Sequence, residues 1–60
     1  MKKRITDLKK GDKVNMHEWG WYTVRKIVKH SPWEVEVFYD TSSGVSSIMY
    51  NPDFDTVIAV

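Results

Sequence analysis

Sixty residues carry 42% hydrophobic and 28% charged side chains, a net charge of +1 and no cysteine. That balance sets aside the disordered class and a disulfide or thiolate-metal framework, and it argues against a protein whose main partner is a polyanion, since such domains usually carry a strongly basic face. No apolar run precedes Val14, so neither a signal peptide nor a membrane span is expected, and the reading is a soluble protein of the reducing cytoplasm.

A chain this short buries only roughly 60% of the surface it exposes when unfolded, so its core must be compact and fully used. The turn signals arrive every eight to twelve residues, the spacing of a small sandwich or barrel, and residues 1–60 read as a single all-β domain. In chain order, Ile5 to Asp12 combines Asp7, a lysine pair, Gly11 and Asp12, which predicts a tight turn with Ile5 and Leu8 plugging one end of the fold. Val14-Asn15-Met16 alternates as a half-buried strand, and Trp19-Gly20-Trp21 places a glycine where the chain reverses.

In the strand from Trp21 to His30, Tyr22 and Val24 share a face while Ile27 falls out of phase. A one-residue bulge at Arg25-Lys26 restores Ile27 to the interior. Ser31-Pro32 ends that strand, because proline supplies no amide hydrogen to a ladder. The next strand, Trp33 to Asp40, sets Val35, Val37 and Tyr39 on one face and Glu34, Glu36 and Phe38 on the other, with the valines inward. Thr41 to Gly44 is a hairpin turn, and Val45 to Tyr50 returns as a strand with apolar residues on both faces, so its inward set stays open. Asn51-Pro52-Asp53-Phe54-Asp55 predicts a turn or short 3₁₀ turn before a last strand, Thr56 to Val60.

Five strands in that order, with a helical turn before the last, resemble the SH3-like barrels, nearest to their Tudor and KOW-type members. The likeness rests on Leu8-Lys9-Lys10-Gly11-Asp12-Lys13-Val14, Trp21-Tyr22-Thr23-Val24 with Ile27, Val35 to Asp40, and Asn51 to Phe54. The resemblance implies a five-stranded SH3-like barrel and a binding role. Tudor domains hold methylated lysine or arginine in an aromatic cage, for which Trp19, Tyr22 and Phe38 or Tyr39 are the matching positions, with Thr41, Ser42 and Ser43 standing where a further aromatic belongs. The long acidic loop of proline-peptide binders is absent, leaving only Glu18 near the first hairpin.

Three Trp, three Tyr and two Phe are more than so small a core can bury completely. They either wrap the ends of the fold or form a partner-binding face of Trp19, Trp21, Tyr22, Phe38 and Tyr39. We take the face as the expectation, for a protein or peptide partner or a second copy of the chain. The alternative is nucleic acid, held by Lys2, Lys3, Arg4, Lys9, Lys10 and Lys13, with Arg25, Lys26 and Lys29 as further candidates. Six cations against Asp7 and Asp12 make residues 1–13 locally +4, whereas residues 14–60 come to −3. His17 and His30 lack a third ligand for zinc, so no metal or other cofactor is expected. Ser31, Ser42, Ser43, Ser46 and Ser47 have no relay spacing, and Glu34 and Glu36 solvate a strand face, so the chain reads as a non-enzyme.

Overall fold

The computed structural model describes residues 2–60. Six strands form: β1 (Lys2–Arg4), β2 (Lys13–Asn15), β3 (Trp21–Ser31), β4 (Glu34–Thr41), β5 (Gly44–Tyr50) and β6 (Thr56–Ile58). They lie in two antiparallel sheets, β1-β6 and β2-β3-β4-β5, and the sheets do not close into a barrel. The strand missing from the five-strand expectation is β1, whose three cations carry no hydrophobic alternation. It exists because its backbone pairs with β6, Lys3 opposite Val57.

β6 also couples the two sheets. Val14 forms a bridge with Ala59, the Lys13 amide donates to the Val60 carbonyl at 3.2 Å, and the Val60 amide donates back at 2.9 Å. Pairing therefore runs β1-β6-β2-β3-β4-β5, with β1 and β5 at the two ends.

The bulge falls where the phase of the sequence required it. Val24 pairs with Tyr39, Lys26 with Phe38 and Ile27 with Val37, so Arg25 is the extra residue and Ile27 packs against the core. The second irregularity, between Lys29 and Ser31, comes just before the turn at Pro32-Trp33, and β4 begins one residue later than expected, at Glu34. The hairpin at Ser42-Ser43 fixes the register of β5: Val35 faces Tyr50, Val37 faces Ile48 and Tyr39 faces Ser46. Ser46, Ile48 and Tyr50 thus share the face of Val35, Val37 and Tyr39, although only Tyr50 packs on the core and Ser46 and Ile48 stay exposed, and Val45, Ser47 and Met49 lie on the opposite face.

The core is Ile5, Leu8, Val14, Val24, Val35, Val37, Tyr39 and Ala59, with Met16, Tyr22, Ile27, Tyr50 and Val57 packed on it. Ile5 and Leu8 do close one end: the first lies in a 3₁₀ turn, Ile5–Asp7, that carries the chain off β1. Residues 51–55 fold as a hydrogen-bonded turn rather than a 3₁₀ helix. There the Asp53 amide donates to Asn51 Oδ1 at 2.9 Å and the Asp55 amide to the Asn51 carbonyl at 2.8 Å. The other 3₁₀ turn is His17–Trp19. Among the described residues no helix is long and apolar enough to cross a membrane.

One polar contact enters this core. The Tyr39 and Tyr50 hydroxyls are hydrogen-bonded at 2.8 Å, and burial, the larger cause for both, raises both phenols above the ordinary tyrosine range. A phenol whose folded pKa lies above its unfolded value contributes stability that is complete below about pH 10, the unfolded value, and is lost as pH rises beyond it. In an alkaline titration, ionisation of Tyr39 and Tyr50, followed by absorbance at 295 nm, should coincide with loss of the circular-dichroism signal. A gradual rise of all three tyrosines with the fold intact would contradict this packing.

Candidate functional site

The surface around the first hairpin is held by a short, tightly bonded loop. Asn15 Oδ1 accepts the His17 amide at 2.7 Å, the Met16 amide donates to the Gly20 carbonyl at 2.6 Å, and the Gly20 amide donates to the His17 carbonyl at 3.2 Å. His17 has φ 55° and Gly20 φ 83°, so the loop turns twice through the left-handed region, where glycine is favoured and the Asn15 side chain supports the histidine. The result sets Trp19 and Trp21 on either side of Gly20, 74% and 52% exposed. Trp21 opens β3 opposite Asn15, and because Tyr22 faces Val14 in the interior, Trp21 belongs to the outer face of the larger sheet.

The remaining aromatic candidates divide between two faces. Phe38 lies on the outer face, half-buried, with the Lys26 ammonium 5.1 Å from its ring centroid, within cation–π range. Tyr39 is fully buried and Tyr22 half-buried; their rings meet at 6.0 Å and 53°. The five-residue face expected from the sequence is corrected accordingly. Strand alternation turns Tyr22 and Tyr39 inward, so Trp19, Tyr22 and Tyr39 do not line one open cage, and Tyr39 offers nothing to a partner. Trp33, 60% exposed, sits in the turn beyond the far end of β3. Trp21 opens β3 and Trp33 comes shortly after its last residue, so the two stand at opposite ends of that strand.

The basic candidates follow the chain from β1 through the next turn to β2, and two of them are engaged. Lys3 Nζ lies 3.4 Å from Asp12 Oδ2, and Arg4 Nε lies 3.9 Å from Asp7 Oδ2. Asp12 is held below the usual carboxylate range first by the Lys9 backbone amide, at 3.0 Å, and then by Lys3. Lys2, Lys9, Lys10 and Lys13 are exposed. Arg25 pairs with Asp40 at 3.0 Å, and Lys26 is engaged with Phe38.

His30 Nε2 and Glu36 Oε1 are 2.8 Å apart on the outer face, and this contact, with a bond from Ser47, lowers the Glu36 pKa. His17 stands apart in the first loop. Among the described residues no three His, Asp or Glu side chains converge as a ligand set.

Two surfaces escaped the sequence reading. One is a shallow groove of about 450 Å³, lined by Ile5, Leu8, Ile27 and Val35 together with Lys29 and Asp53. The other is β5, with exposed Val45, Ile48 and Met49 and no charged residue between Gly44 and Tyr50. The missing charges were the available signal for the second. Comparison with family models, curated proteins and solved structures gives no match to this chain, so its surfaces are read from their own chemistry.

Proposed function

We propose that this chain is a non-catalytic binding module of the SH3-like kind, working in the reducing cytoplasm, that takes a protein or peptide partner on its exposed tryptophans. The observation carrying this reading is the pair Trp19 and Trp21, held in the open by a hydrogen-bonded loop. Each indole is a large, rigid apolar surface, and tryptophan is among the residues that most often dominate a protein interface. A loop already locked by Asn15 and Gly20 loses little conformational freedom on binding. The SH3-like kinship is supported by the succession of β2, a long bulged β3, β4, β5, a turn and a last strand bonded back to β2. The cytoplasmic assignment is supported by the absence of cysteine.

The test is capture from a random peptide pool, read against salt. Trp19→Ala with Trp21→Ala should abolish capture while a cooperative melt is kept, with the larger loss of stability, about 1–3 kcal/mol, at the half-covered Trp21. Lys9→Glu with Lys10→Glu should leave capture unchanged, as should raising salt from about 50 to 200 mM, since apolar burial releases no counterions. Binding to a random-sequence oligonucleotide that fades over the same salt range and disappears in the lysine variant would replace this reading with the nucleic-acid one.

A further inference from the structure

We propose that β5 is a self-pairing edge, through which two copies of this chain join antiparallel about a two-fold axis at Ser47. The inference goes beyond the aromatic-surface reading, since β5 carries no tryptophan. Its ground is the contrast between the edges. β5 pairs with β4 on one side only, and over seven residues it has no charge, no proline and no bulge, the devices that normally keep a sheet edge from pairing. The opposite end of the pairing order, β1, is Lys2-Lys3-Arg4, and the stretch of β3 beyond its pairing with β2 carries Arg25, Lys26 and Lys29. Those edges repel a copy of themselves; β5 does not.

The register selects the occupant. Thr41 and Gly44 close a two-residue turn and so form a hydrogen-bonded pair. Antiparallel pairs alternate, which makes Tyr39–Ser46, Val37–Ile48 and Val35–Tyr50 hydrogen-bonded as well. The backbone amides and carbonyls of Val45, Ser47 and Met49 therefore point away from β4, toward the free edge. An axis at Ser47 sets Ser47 against its own copy and Val45 against Met49 in both directions, all three positions with outward backbone groups. Each such pair exchanges two hydrogen bonds.

The side chains agree with that register. Small serines meet at the axis, an apolar Val45–Met49 pair lies on either side of it, and no like charges oppose. A standard interface removes roughly 800 Å² from each partner, less than a fifth of the 4321 Å² this chain exposes.

Sedimentation equilibrium of the full chain from micromolar to millimolar concentration tests this. A monomer–dimer equilibrium is expected. Ser47→Lys, which sets two ammonium groups together at the axis, should weaken it at least about tenfold. Val45→Lys with Met49→Lys, which opposes like charges, should do the same, whereas Val45→Glu with Met49→Lys, which opposes unlike charges in this register alone, should keep the dimer. All these positions are exposed, and thermal melts would verify that each variant folds; a variant that fails to fold is replaced by the other lysine variant as the decisive arm. A monomer at every concentration, or a dimer indifferent to both lysine variants, overturns the proposal. So does a dimer lost on Trp19→Ala with Trp21→Ala, which would move self-association to the aromatic surface. Failure of the wild-type chain to capture peptides while it still dimerises through β5 would instead remove the aromatic-surface reading and leave this one standing.

Discussion

Val37→Asp should leave no folded domain. Val37 is fully buried in β4, which pairs with β3 on one side and β5 on the other, and it lies between Ile27 and Ile48 in register. A carboxylate there meets no cation within the apolar cluster, and the Tyr39 and Tyr50 hydroxyls are already bonded to each other. It must either stay charged at a cost of many kcal/mol or take up a proton and bury an unpaired polar group, at roughly 2–7 kcal/mol. Sixty residues give a total stability of only about 3–9 kcal/mol on a per-residue basis, so either route exhausts most of it. The expected observation is a collapsed amide spectrum and no cooperative melt. A Val37→Asp variant that melts like the parent would show that β4 does not present this face to the core.

Tyr39→Ala should come second in effect, and Tyr39→Phe separates its causes. The tyrosine is the largest fully buried side chain, and its ring packs against Tyr22. Its removal opens a cavity that the short strands around it cannot close, for an expected loss of about 3–5 kcal/mol by analogy with other large aromatic truncations. Tyr39→Phe keeps the ring and deletes only the hydroxyl bonded to Tyr50. Tyr50 is half-buried and can turn to water, so the loss should be about 0.5–1.5 kcal/mol. Urea unfolding of both variants checks the pair. Equal losses would mean that the hydrogen bond, not the packing, holds this part of the core.

What the chain alone determined is what acts between near neighbours. Alternation in residues 34–40 placed Val35 and Val37 inward, the phase slip at Ile27 demanded a bulge, and Pro32, Gly20 and Ser42-Ser43 marked the reversals; each depends on a few consecutive backbone dihedrals and on which side a side chain leaves the strand. That some aromatics must be exposed followed from simple volume, since so small a core cannot hold eight aromatic rings, but which ones, Trp19, Trp21, Trp33 and Phe54 among them, did not. Tertiary structure decided the rest. Lys2-Lys3-Arg4 becomes a strand only because the far end of the chain brings β6 beside it, a backbone pairing across more than fifty residues that leaves no mark in a run of cations. The inward side of Tyr39 was legible in its alternation with Val35 and Val37; what tertiary structure added is its ring contact with Tyr22 and its hydroxyl bond to Tyr50. The two faces of β5 were equally apolar in sequence. Only the turn that locks it to β4 chose which residues face in, and only the position of β5 at the end of the sheet left its other edge without a partner.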